Sequence, residues 1–260
     1  MKKVSVIIVL PLFIFLGCNS SNPSADYPPI PLTLDTLSDN YRNKSVNKVR
    51  KIFRKGVAYR YHAVYTDVDN TVISNNYVDL IPTGERWDMQ PDLQDVVQLK
   101  FGSTNEEMAR VFANPVNKTY DHANRWTDET WEGIIENDET VWIHPIRHNQ
   151  YIFTEVAPFP EVIFPLETGK TWAGGIGGLG GWGDWDGMDI MSTYEISSKE
   201  KVSLPFGKLE CWVIEAKSEF DLGTSTAVFH FHEDLGFVKM DYINYVNQRL
   251  VFEMEKVETY

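Results

Sequence analysis

Thr224-Ser225-Thr226-Ala227-Val228-Phe229-His230-Phe231-His232, the turn Glu233-Asp234-Leu235, then Gly236-Phe237-Val238-Lys239-Met240-Asp241-Tyr242-Ile243-Asn244: this stretch decides the fold. Both runs alternate and are rich in β-branched and aromatic residues, and the turn between them is too short for a crossover. Two strands joined this closely must run antiparallel. The same pattern repeats at 191–197, 201–204, 208–217 and 249–257, separated by turn signals such as Pro205-Phe206-Gly207 and Asp221-Leu222-Gly223. Sequential strands with short connections make a meander.

Toward the N-terminus the signal continues more weakly. Residues 56–65 alternate and close at Asp67-Val68-Asp69-Asn70, and 95–101, 131–135, 140–143 and 151–156 are further strand candidates. Thr104 and Glu107 have capping-box spacing and Pro115 follows as a stop, so one helix is predicted over 104–113; a second is placed within 37–53. The expectation is one mainly β domain over 34–260: a single, strongly curved antiparallel sheet or open barrel with one or two short peripheral helices.

The first residues read as an address. Lys2 and Lys3 precede an apolar run from Val4 to Leu16 that stops at Gly17-Cys18. Thirteen helical residues rise only about 20 Å against a bilayer core of about 30 Å, so 1–17 is read as a cleaved signal. Phe15-Leu16-Gly17-Cys18 resembles the lipobox of bacterial lipoproteins, in which the cysteine is acylated; this implies a lipid anchor at Cys18 and the bacterial cell envelope, with the outer membrane as the expected site. Residues 18–33, rich in Asn, Ser and Pro, form the flexible tether.

Composition excludes some classes. The formal charge of −13 becomes −15 once Lys2 and Lys3 leave with the signal. The short basic run 48–55 reads as a solvated face, which argues against nucleic acid as a partner. No Gly-x-Ser-x-Gly elbow occurs. Cys211, inside an apolar run, reads as a buried small hydrophobe.

Three groups of residues could carry a site. The stretch 174–189 is rich in glycine and contains Gly175-x-Gly177-x-x-Gly180, but no helix signal follows, which excludes a dinucleotide loop. It reads as a loop between strands whose Trp182 and Trp185 fold back onto the sheet or line an apolar mouth. Within it Asp184, Asp186 and Asp189 surround Gly187, oxygen ligands of the kind calcium takes. His230 and His232 share a strand face beside Glu233 and Asp234 and offer zinc ligands, with His144 or His148 to complete the set.

Phe159-Pro160-x-Val162-x-Phe164-Pro165-Leu166-x-x-Gly169-Lys170-x-Trp172, then Val202-x-Leu204-Pro205-x-Gly207-Lys208-x-Glu210-Cys211-Trp212, and finally Gly236-Phe237-Val238-Lys239, resemble exported proteins and lipoproteins of uncharacterised bacterial β-domain families. The resemblance covers roughly residues 158–257. It implies a curved antiparallel sheet, an open barrel similar to lipoprotein carriers that enclose acyl chains, and no catalytic residues. The leading expectation is therefore a carrier for an apolar or lipid-like ligand, with Trp172, Trp182 and Trp185 near its mouth. A structural or protein-interaction lipoprotein of the envelope is the alternative, and a metal-dependent hydrolase at His230/His232 is the third.

Overall fold

The computed structural model describes residues 51–88, 90–113, 126–177 and 182–260. The signal, Cys18, the tether and nearly all of the helix expected within 37–53 lie outside them. The strands are β1 (Val57–Thr66), β2 (Val72–Arg86), β3 (Asp95–Phe101), β4 (Glu129–Glu136), β5 (Thr140–Ile143), β6 (Glu161–Ile163), β7 (Thr171–Ile176), β8 (Ile190–Leu204), β9 (Gly207–Phe220), β10 (Gly223–His232), β11 (Gly236–Ile243) and β12 (Arg249–Thr259), and α1 spans Asn105–Ala113. All twelve strands form one antiparallel sheet in the order β6-β5-β4-β3-β2-β1-β12-β11-β10-β9-β8-β7. The chain thus walks outward from β1 to one edge, crosses to the other, and walks back until β12 closes on β1. Only the β6–β7 pair lacks a ladder, so the sheet is an unclosed barrel with one seam.

Alternation builds the wall. In β1 the side chains of Tyr59, Tyr61, Ala63 and Tyr65 are buried while Arg60, His62 and Val64 are half-buried on the other face. Register shifts at Arg60/Tyr61, Tyr65/Thr66, Ile196/Ser198 and His230/Phe231 mark bulges, which bend strands and let a sheet curl. The expected strands 191–197 and 201–204 are one continuous strand, β8, bulged between them. The capping box holds: Thr104 N–H donates to Glu107 Oε2 at 3.0 Å, and Glu107 N–H donates to Thr104 Oγ1 at 3.2 Å.

The connection from β5 to β6, residues 144–160, runs through the barrel. Residues 151–156, expected as a strand, belong instead to the 3-10 helix Asn149–Val156, every residue of which is buried. Its rings meet both halves of the sheet. Tyr151 contacts Phe101 of β3 and Phe252 of β12, and Phe153 contacts Tyr65 of β1 and Tyr242 of β11. Phe159 N–H donates to Tyr194 Oη on β8 at 3.2 Å. A segment in contact with so many strands sits in the lumen; this helix is a plug, not a peripheral element.

Side chains staple the seam. Lys170 Nζ donates to Ile163 O and Pro165 O at 2.9 and 3.0 Å, and Trp172 Nε1 donates to Glu161 Oε2 at 2.9 Å. At the end where β1 begins, residues 51–53 fold across the opening. The Glu136 carboxylate accepts from the backbone N–H groups of Lys51 (2.7 Å), Ile52 (3.1 Å) and Phe53 (2.9 Å), and Ile52 and Phe53 are buried. Tyr59 Oη donates to Ile52 O. Gly236, at φ +77°, lets this strap pass: a Cβ there would lie 2.9 Å from Ile52 Cγ2. Glu136→Ala orphans three donors at once and is expected to cost about 1.5–3 kcal/mol in urea denaturation, the range of hydrogen bonds to a charged group. An unchanged midpoint would mean that the strap adds nothing to stability.

Candidate functional site

The tryptophans fold inward. Trp182 is 3% and Trp185 0% exposed, and Trp185 Nε1 donates to Tyr245 Oη at 3.3 Å. Trp172 is half-buried at the seam and stacks on Tyr194 with centroids 5.1 Å apart. Of the two readings of Trp182 and Trp185, the structure takes the one in which they return to the sheet. Gly174, Gly175 and Ile176 lie in β7 rather than in a loop. A Cβ at Gly175 would sit 2.7 Å from Ile190 O, so glycine serves close strand contact there and not phosphate.

Asp184 lies in the short 3-10 turn Gly183–Trp185, followed by Asp186 and Asp189, at the end of the barrel opposite the 51–53 strap. His230 and His232 are near the strap end. Their neighbours Phe229 and Phe231 point into the core, which puts both imidazoles on the outer wall. His230 Nε2 lies 2.9 Å from Glu200 Oε1, and Asp234 N–H donates to His232 Nδ1 at 3.2 Å. His144 and His148 are in the lumen, so the structure does not bring the expected zinc set together. Among the described residues, no group of three or more His, Cys, Asp or Glu side chains is placed to hold a metal ion. Cys211 is buried, and burial, with Glu200 and Glu210 nearby, pushes its thiol up to about 11, the state of an inert core residue.

The interior holds a group that no motif announced. Glu132 points inward from β4, and the plug brings four partners to it. Arg147 Nε donates to Glu132 Oε1 and its Nη1 to Glu155 Oε2, both at 3.1 Å. His144 Nδ1 lies 3.1 Å from Glu132 Oε2, and His148 Nδ1 lies 3.4 Å from Glu132 Oε1. These two imidazole contacts fall outside hydrogen-bonding geometry, so they act through charge. His148 Nε2 is 3.2 Å from Thr130 Oγ1, and the Arg147 guanidinium lies 5.4 Å from the centre of the Trp182 ring.

Burial sets the protonation. It pushes the Glu132 carboxyl up to about 7, with Glu155 adding to the rise and Arg147 opposing it. It raises Glu155 too, and it holds His144 well below the usual imidazole value, helped by Arg147. Arg147 keeps its charge because the two carboxylates more than offset its own desolvation. Chemically the quintet can hold and pass a proton and anchor the plug.

Separately, a recess of about 720 Å³ crosses β7 to β10, and its lining includes Trp172, Thr193, Glu195, Glu215, Lys217 and Thr226. None of its lining comes from 144–160, so it belongs to the wall and not to the lumen. No helix among the described residues is long and apolar enough to cross a membrane.

Neither a family model nor a curated protein matches the chain. Among solved structures it is similar to a Parabacteroides distasonis protein named as a lipoprotein, at 9% identity and a TM-score of 0.45 over 80% of this chain and 97% of that one. It is also similar to a Bacteroides fragilis protein named as exported, with a YmcC-like fold, at 10% identity and a TM-score of 0.41 over 80% and 98% of the two chains. The hypothetical lipoprotein YmcC from Escherichia coli matches at 8% identity and a TM-score of 0.32 over 81% and 90%.

Proposed function

We propose that the chain is a lipoprotein of the bacterial cell envelope, anchored through Cys18, that serves as a non-catalytic binding module and meets its partner with the outer wall of the barrel. The signal-like start and the lipobox resemblance support the anchor. The observation that carries the binding mode is the filled lumen. A carrier for an acyl chain needs a cavity on the concave face, and residues 144–160 occupy that space. The recess over β7 to β10, with hydroxyls, two carboxylates and one ammonium around Trp172, is the concave surface that remains for recognition.

Two measurements test this reading. Native mass spectrometry of residues 19–260, purified gently from a bacterial host, is expected to give the bare mass of the chain. Photo-crosslinking in intact cells is expected to give a discrete protein adduct from a probe at Thr226, inside the recess, and none from one at Lys100, exposed on β3. Co-purifying lipid released on denaturation would restore the apolar carrier as the function.

A further inference from the structure

Charge counting in the lumen leads beyond that reading and does not depend on it. Glu132 and Glu155 are 1% and 0% exposed in their side chains, and Arg147 bridges both. With both carboxylates ionised and both histidines neutral, the group carries one negative charge too many for a dry interior. The only groups within reach that can accept a compensating proton are those already in contact: Glu132, Glu155, His144 and His148. Four of the five members ride on the plug, and the fifth, Glu132, belongs to the wall.

We infer that the Glu132–His144–Arg147–His148–Glu155 quintet is a one-proton latch, in which a single proton held between Glu132 and its histidine neighbours keeps the 144–160 plug seated across the mildly acid range. The groups facing it are Thr130 and Glu132 from β4, Arg147 and the two histidines from the segment after β5, and Glu155 from the 3-10 helix. Phe101 lies beside His148, Trp142 and Phe159 lie beside His144, and Trp182 lies beside Arg147.

The signs follow from the two shifts. Glu132 is raised in the folded protein, so its contribution is complete below the free carboxyl value of 4.5 and is lost as pH rises toward 7. His144 is depressed, so its contribution is complete above the free imidazole value of 6.5 and is lost as pH falls below it. Between 4.5 and 6.5 the two slopes oppose each other. The native plug therefore opens with an equilibrium nearly independent of pH in that window, where either group alone would change it about tenfold per pH unit.

Hydrogen exchange of residues 144–160 in the folded chain, corrected for intrinsic rates, tests the latch. The native protein is expected to show flat protection from pH 4.5 to 6.5. Glu132→Gln is expected to lose protection as pH falls below 6.5, and His144→Gln as pH rises from 4.5 to 7, each by about tenfold per unit. Two variants that track the native profile would overturn the latch. A check that needs no substitution is the titration of the ring nitrogens in chain labelled with 15N-histidine. His144 is expected to stay neutral through pH 5.5, and an ordinary titration near 6.5 would also overturn it.

Discussion

Arg147→Ala is expected to destabilise the barrel by about 3–5 kcal/mol, the cost of removing one partner from a buried ion pair and leaving the other charges uncompensated. Whole-domain stabilities are typically about 5–15 kcal/mol, so the variant should unfold at a much lower urea concentration at pH 8, where both carboxylates seek charge. Arg147→Lys keeps the cation but not the fork that reaches Glu132 and Glu155 at 3.1 Å each, and is expected to fall between native protein and Ala. The triple variant Arg147→Met/Glu132→Gln/Glu155→Gln removes all three charges and is expected to recover most of the loss, because the penalty comes from the orphaned carboxylates and not from a missing attraction. A midpoint for Arg147→Ala within about 1 kcal/mol of native would mean that water reaches these carboxylates and that the lumen is not dry.

Where one face of a strand is buried and the other solvated, the sequence carries a period of two, and the hairpins from β8 to β12 are legible for that reason. β2 has no such signature because Ser74 and Asn76 face inward, and Asn76 Nδ2 donates to the helix-capping Glu107 at 3.0 Å. A polar inward row, with Pro82 and Gly84 further along, reads as loop until α1 is placed over it. Residues 151–156 misled for the opposite reason: Tyr151, Ile152, Phe153 and Val156 are strand formers by composition, but all eight residues of the 3-10 helix are buried, and a segment buried all round has no alternation to betray its conformation. Length offered the better clue. The 144–160 connection exceeds the roughly 12–15 residues beyond which an unstructured loop inside a domain is uncommon. Its mixture of Arg147, His144, His148 and Glu155 with large apolar residues is that of a core segment carrying its own counter-charges. The quintet itself was out of reach, because Glu132 lies on a different strand and only the fold brings the plug to it. Trp182 and Trp185 were readable as rings too costly to leave in water, but the sequence could not say that they would cover the inside of the barrel instead of lining its mouth.

Phe153→Ala is expected to cost about 3–5 kcal/mol, as large-to-small changes at buried aromatics do, because Phe153 is 0% exposed and packs between Tyr65 and Tyr242 with ring centroids 5.4 and 6.4 Å away. The way the loss is distributed matters as much as its size. If the plug is an integral part of the core, the loss appears in global unfolding, with urea midpoints by tryptophan fluorescence and by far-ultraviolet dichroism falling together. If the plug is a lid that leaves while the wall survives, protection against hydrogen exchange falls in 144–160 alone and the strands keep their native rates. The first outcome is expected, because the plug touches β1, β3, β8, β11 and β12 and those strands have no other partner for their inward rings. The second would make the lumen a hidden cavity with a removable occupant, and an apolar ligand could then compete with Tyr151 and Phe153 for the space they fill. The cavity left by Phe153→Ala gives that competition a direct readout. An apolar hole of this kind stays dry and takes up small aromatic molecules, so benzene should restore part of the lost stability if the surrounding rings stay in place.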